Sequence, residues 1–339
     1  SIRPEEISIA QILGQAGYVC GHFGKWHLGP VKAESPTNPG AMGFQQWLSH
    51  DNFFEMDPYL SRNGGPPEKF HGESSQILID ETIRFIAGAK HLRRPFFAVI
   101  WFGSPHEPYS GVDEDLALYS QLPERYRDRF VTVTSLDTGR PVRRPFHQVL
   151  QERYAEITAM DRAIGTLRQY LVDEELRQNT LLWYCGDNGI PSSGRATTPF
   201  RGQKGQVYDG GIRVPGIMEW PERIPNPRVT DVNAVTSDML PTLCDLLGLP
   251  LPTRPLDGIS LRSLIDGEME ARPSPICFWN YDAGREARSE TEPYIDPGLQ
   301  EGTTPLVKMM NGRFTRDFRN YHHSRITEHD FVGPRAILD

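Results

Sequence analysis

Cysteine is scarce. The chain has four in 339 residues, Cys20, Cys185, Cys244 and Cys277, at spacings that fit neither a zinc site nor a disulfide framework. Cys20 and Cys185 fall inside predicted strands and Cys244 in a helix among leucines, so they read as small buried residues. None reads as a nucleophile. Long apolar runs are missing too. The longest, Phe96 to Phe102, is far short of the ~20 residues a membrane-spanning helix needs. Positive charge is not in excess: 36 Lys+Arg against 44 Asp+Glu give a net charge of −8. That balance argues against nucleic acid or an anionic membrane as the main partner. Any anion site must therefore be local. There is no internal repeat, no low-complexity tract and no visible signal peptide; the opening Ser1 is silent about export.

What is present is a regular alternation of apolar patterns. The length favours one large domain plus something smaller. Pro4 followed by Ile7, Ile9, Ile12 and Leu13 predicts a helix closed by glycine, and a strand ends at Gly24. Residues 30–70, rich in Pro, Gly and Asn, read as a long excursion. Glu73 to Lys90 has helical spacing. Phe96-Phe97-Ala98-Val99-Ile100-Trp101-Phe102 has the continuous apolar character of a parallel strand buried on both faces. Helical spacing returns over 146–177 and over Val235 to Leu247, which Gly248 closes. Strands are expected over Thr180 to Cys185 and Val214 to Trp220. The alternation predicts an α/β fold: a mostly parallel sheet sandwiched by helices. The expected division is one α/β domain over 1–270 and an incomplete C-terminal subdomain over 271–339.

Four polar clusters punctuate this pattern: GKWHLG (24–29), SPHEP (104–108), CGDNG (185–189) and RGQKG (201–205). Three of them lie just past a predicted strand. In open α/β sheets ligands bind beyond the carboxyl ends of strands, so these clusters should converge on one crevice. Lys25 would supply a point charge to an anion and His27 could hold or pass a proton near neutral pH. Prolines on both sides of His106-Glu107 stiffen that loop and aim His106 outward. Asp187 and Asn188 offer two hard oxygens suited to calcium, with magnesium second; such ions want about six or more ligands. Arg201 and Lys204 sit in a glycine-framed loop, with Lys204 favoured on the anion. His22 alternates into a strand as a core histidine, and His50-Asp51, His71 and His322-His323 lie in loops without matching partners.

Taken together, GKWHLG, the serine of LSHDN, SPHEP, DNG and RGQKG resemble the formylglycine-dependent (type I) sulfatases of the alkaline phosphatase superfamily. AQILGQAGYVCGHFGKWHLG and FRGQKGQVYDGGIRVPGIMEWP carry the likeness most strongly, over residues 1 to about 270. The resemblance implies an arylsulfatase-like sulfuric ester hydrolase whose substrate is a sulfated small molecule or glycan. It implies that Lys25 contacts sulfate and the nucleophile, that His27 holds the nucleophile's hydroxyl, and that Ser49 binds sulfate. It likewise puts His106 and Lys204 on the sulfate, with either as the acid for the leaving oxygen. Asp187 and Asn188 become calcium ligands. The family's nucleophile, a Cys or Ser of a C/S-x-P-S/A-R motif converted to formylglycine, is absent from these residues, as are its paired N-terminal aspartates. The chain therefore reads as an internal fragment, inactive as given. The full-length protein would need a formylglycine-generating or sulfatase-maturing enzyme and would be periplasmic or secreted. Two other functions fit the same residues: a phosphodiesterase or phosphonate hydrolase on this scaffold, and a non-catalytic module that binds sulfated glycans.

Overall fold

The computed structural model describes residues 2–52, 54, 56–135, 140–278 and the backbone of 336–338. The chain divides into two compact units, the first dominated by residues 1–170 and the second by 171–289.

The first unit is built on a five-stranded sheet. It contains α1 (Ile9–Gln15), β1 (Val19–Lys25), β2 (Gln46–His50), β3 (Tyr59–Arg62), β4 (Glu68–Lys69), α2 (Ser74–His91) and β5 (Phe96–Trp101). The strand order is β4-β3-β2-β1-β5. β1 runs parallel to both β2 and β5, whereas β3 and β4 return antiparallel. The class is the expected α/β, and the sheet is mixed. The reason is connection length, because a tight return can only join antiparallel strands. The excursion predicted over 30–70 thus holds three strands, each too short to show an alternating pattern.

β1 is packed on both faces. Phe23 meets Phe85 of α2, with ring centroids 5.5 Å apart. Cys20, of opposite parity, lies 3.4 Å from the Ala10 carbonyl in α1. The start of α1 is set by Ser8, whose side chain accepts from the Gln11 N–H while Gln11 answers to the Ser8 N–H. This reciprocal cap satisfies two orphan donors, so the helix begins at Ile9 rather than at Pro4. β5 pairs with β1 alone among the described residues and its apolar side chains are half-buried, with Trp101 43% exposed. The burial on both faces expected for this run is therefore only partial here. Later in the unit come α3 (Asp113–Leu118), the hairpin β6 (Phe130–Thr134) and β7 (Pro141–Pro145), and the long α4 (Phe146–Asp173) that leads into the second unit.

The second unit contains β8 (Leu182–Cys185), α5 (Asp209–Ile212), β9 (Gly216–Glu219), α6 (Met239–Leu247), α7 (Arg262–Ile265), β10 (Ile276–Phe278) and β11 (Ala336–Leu338). β8 and β9 pair antiparallel, as do β10 and β11. α6 ends as its sequence predicts, with Gly248 left-handed at φ 65°. The buried Asp238 accepts from the Val235 and Ile259 N–H groups and from both arms of Arg272, at 2.7 and 2.8 Å. Most of the subdomain expected over 271–339, and the His322-His323 pair, lie outside the described residues.

Candidate active site

The GKWHLG turn is fixed by its apolar residue and its first glycine. Trp26 is buried between His22, Phe44 and Trp101 and donates its indole N–H to the Thr37 carbonyl at 2.7 Å. The backbone N–H groups of Trp26 and His27 continue the β2 ladder, donating to the His50 and Asp51 carbonyls at 2.8 and 3.0 Å. Gly24 has φ 106°, and a Cβ there would lie 2.0 Å from the Trp101 carbonyl oxygen. Only glycine allows β1 to approach the end of β5 this closely. The anchored tryptophan leaves its two neighbours, Lys25 and His27, partly exposed at the carboxyl end of the strand. His27 itself takes a left-handed φ of 52°.

β5 ends in register with this turn, Gly24 pairing with Trp101. Lys25 and the SPHEP loop therefore leave the sheet from the same end, as the strand-end argument expects. Both X-Pro bonds of that loop, Ser104–Pro105 and Glu107–Pro108, are cis. His106 Nδ1 donates to the Glu107 carbonyl at 2.6 Å. A carbonyl can only accept, so the neutral ring carries its proton on Nδ1 and Nε2 becomes the nitrogen that takes up or gives one. Glu107 is not idle: its Oε2 accepts from the Thr134 N–H at 3.0 Å. Nothing in the sequence marked that pairing, since the partners are 27 residues apart.

Ser49 sits on β2 opposite Gly24 and is fully buried. Its hydroxyl lies 2.7 Å from His22 Nδ1. In this geometry its hydroxyl is held by a core histidine. Burial pushes His22 down to about 3, so its ring is neutral. His50 is likewise buried and held below its ordinary range by desolvation, with the Asp51 carboxylate opposing. It accepts the Asn52 N–H at 3.0 Å and is a structural residue. Cys20 is buried and its thiol is pushed up to about 11 by desolvation, which removes it from the nucleophiles.

Asp187, Asn188 and Lys204 belong to the second unit, where the structure ties their loops together. The Gly189 and Ile190 N–H groups donate to the Gly211 and Gly210 carbonyls at 2.8 and 2.9 Å. The Lys204 N–H donates to the Ile190 carbonyl at 2.7 Å. CGDNG and RGQKG, apart in sequence, thus form one structural unit. Arg201 turns away from this pair: its guanidinium stacks on Tyr208, 3.9 Å from the ring centroid, and donates to that phenol. Lys204, the other cation of the loop, is not drawn into that stack. Asp187 is exposed, and no group of three or more His, Cys, Asp or Glu side chains suited to a metal occurs among the described residues. The two oxygens have the right chemistry for calcium and supply only part of a coordination shell.

Helices on both faces of a mixed sheet, with Lys25 and the His106 loop leaving adjacent parallel strands at one end, make an α/β fold. Two solved structures share that architecture. One, from Bacteroides thetaiotaomicron and described under the metabolism of multiple glycosaminoglycans, superposes with a TM-score of 0.68 at 22% identity, over 85% of this chain and 63% of its own. The other, Ps i-CgsB in complex with a neocarrahexaose, gives 0.66 at 21% identity, over 93% and 74%. The family described as Sulfatase matches residues 1–249, and the chain belongs to it. Human arylsulfatase A is 31% identical over 291 residues, 81% of this chain and 54% of that protein. The ulvan-active sulfatase of Formosa agariphila is 30% identical over 295 residues, 84% and 52%. The chain spans about half the length of these relatives. No helix among the described residues is long and apolar enough to cross a membrane.

Proposed function

We propose that these residues form the anion-holding part of a sulfuric ester hydrolase acting on sulfated carbohydrates, its formylglycine nucleophile lying outside residues 1–339. The observation that carries the reading is the Gly24–Gly29 turn, which carries an ammonium and an imidazole two residues apart, both partly exposed, at a parallel strand end in a chain of the Sulfatase family. The carbohydrate assignment is supported by relatives named ulvan-active sulfatase and N-acetylgalactosamine-6-sulfatase.

In this reading, which follows the resemblance to the sulfatases, Lys25 and Lys204 would each contact the ester's sulfate and stabilise the charge that builds up as the S–O bond to the alcohol breaks. His27 holds the hydroxyl proton of the nucleophile. His106, through Nε2, gives a proton to the departing alcohol oxygen. Ser49, its hydroxyl held by His22, would bind the sulfate from the neighbouring strand. A formylglycine would supply the hydroxyl nucleophile, and His27 would hold that hydroxyl. Asp187 and Asn188 would hold calcium, which supplies positive charge at the transferring group. A formylglycine-generating or sulfatase-maturing enzyme would act on the nucleophile segment, and the enzyme would work in the periplasm or outside the cell.

The test uses the polypeptide that carries the nucleophile, assayed on the sulfate and phosphate esters of one aryl alcohol. Faster turnover of the sulfate ester supports the reading. Preference for the phosphate ester replaces it with a phosphodiesterase on the same scaffold.

A further inference from the structure

The β6–β7 hairpin stands beside the candidate site, and no role has been given to it. Over residues 124–153 the sequence holds seven arginines and no lysine against four carboxylates, inside a chain whose net charge is −8. The hairpin is amphipathic. Val133 packs inward with Tyr109 and Val149, and Val131 lies against the same cluster. The opposite face presents Phe130, Thr132 and Arg143, all exposed, with Thr132 and Arg143 directly opposite each other in the ladder.

Phe130 is 51% exposed, so much of its ring is open to a ligand. Arg143 lies over that ring with its guanidinium carbon 4.4 Å from the centroid. Among the described residues this guanidinium meets the ring and no carboxylate. Arg144, by contrast, is taken by Glu152 in a two-pronged pair at 2.8 and 2.5 Å, which fastens β7 to α4. A stacked guanidinium keeps its N–H donors in its own plane, directed away from the ring. The hairpin therefore presents a half-open apolar ring beside a pre-set fork of donors for an oxyanion.

Its position is set by two contacts to the SPHEP loop. The Thr134 N–H donates to Glu107 at 3.0 Å, and Tyr109 packs on Val133. The Ser110 N–H donates in turn to Glu156 of α4 at 2.8 Å. The loop that carries His106 and the hairpin are thus braced as one piece, so a polymer engaged at His106 has the hairpin as its neighbour.

We propose that the outer face of the hairpin is a second subsite for a sulfated polysaccharide, Phe130 taking the C–H face of a sugar ring and Arg143 a sulfate other than the one being cleaved. This rests on the sulfated-carbohydrate reading above and extends it from a monoester to a polyanionic chain. Charge complementarity favours it. A sulfate monoester is a permanent anion with three acceptor oxygens, and a guanidinium fork meets two of them at once.

The experiment is calorimetric titration of residues 1–339 with dextran sulfate, with unmodified dextran and with single-stranded DNA of matched charge. Dextran sulfate should bind, and dextran should not. Arg143→Ala and Phe130→Ala should each weaken dextran sulfate binding by roughly tenfold, with Arg143→Lys recovering only part of the loss. Arg84→Ala, an exposed arginine on α2 that pairs with Glu81, should leave it unchanged. Both hairpin side chains are exposed, so thermal melts of the variants should overlay the parent. Equal affinity in the hairpin variants overturns the subsite, as does an equal loss in Arg84→Ala. DNA binding that matches dextran sulfate and falls with the same substitutions also overturns the carbohydrate assignment. Aryl-sulfate turnover by the nucleophile-carrying polypeptide separates the two levels. Turnover without any hairpin effect removes the subsite alone. A hairpin effect without turnover removes the hydrolase reading and leaves a glycan-binding surface.

Discussion

The backbone N–H of Lys204 donates to the carbonyl of Ile190 at 2.7 Å, joining the lysine loop to the turn that carries Asp187 and Asn188. The join requires backbone-to-backbone contact. A Cβ on Gly189 would lie 2.2 Å from the Gly210 carbonyl oxygen, and neither partner is a side chain that can swing aside.

Gly189→Ala should therefore lower stability by roughly 1–3 kcal/mol. Gly216→Ala is the comparison: it is an exposed strand position where a new Cβ meets nothing within 4 Å. That change should stay within about 0.5 kcal/mol of the parent. Urea unfolding of both variants measures this. Equal stability of the two would mean that the Gly189–Gly210 approach is not needed.

Stability should fall in mild acid because of His22. Its pKa is about 3 in the folded chain against 6.5 for an ordinary histidine, since burial disfavours the imidazolium. Between those values the unfolded chain binds the proton and the folded chain does not, so unfolding gains as pH falls. The stabilisation is complete above about 6.5 and is lost progressively towards 3. At pH 5 the loss attributable to His22 is on the order of 2 kcal/mol, and His50, lowered in the same direction, adds to it. Denaturant melts from pH 7.5 to 5 read the slope. His22→Gln should flatten it, and an unchanged slope would assign the effect elsewhere.

In the polypeptide carrying the nucleophile, Lys204→Ala should lower kcat/KM by on the order of 10²-fold or more, the loss expected when a charge-stabilising group leaves a transferring anion. Lys204→Arg should not restore it fully, because a planar fork does not replace a compact ammonium. Residues 1–339 alone should hydrolyse no aryl sulfate above buffer. Turnover by these residues would overturn the nucleophile assignment. Near-parental activity of Lys204→Ala would take that residue out of the site.

Calcium should bind residues 1–339 weakly or not at all. Asp187 and Asn188 supply two oxygens where the ion takes about six to eight. Calorimetric titration decides, with Asp187→Ala as the control. Tight binding abolished by that change would reveal ligands beyond the two named here.

Much of the architecture was legible because it is written in local periodicity. The helical spacing of Ile77, Ile79, Ile83 and Phe85 marks α2, whose buried face includes Leu78, Ile79, Phe85 and Ile86, and the run from Phe96 marks β5. Gly248 stops α6 through a left-handed cap. The short strands β2, β3 and β4 were not legible, because two to five residues carry too little period to stand out from a Pro- and Gly-rich loop. The polar clusters could be found as strings, and Gly24 explains one of those strings physically. A string leaves out what holds Ser49, whose hydroxyl is buried against His22.

The sequence by itself determined which residue types were available: two lysines and two histidines for an anion, two hard oxygens for a cation, and cysteines unsuited to nucleophilic attack. It also determined the α/β class, since hydrophobic period is a property of neighbours along the chain. Only the tertiary structure decided that Lys204 joins the Asp187 turn, that Glu107 braces Thr134, and that Arg144 pairs with Glu152 while Arg143 lies over Phe130. Those are contacts between segments 8 to 27 residues apart. Hydrogen bonds and ion pairs between such segments depend on where the packed chain brings the groups, and that placement follows from core packing rather than from spacing along the chain.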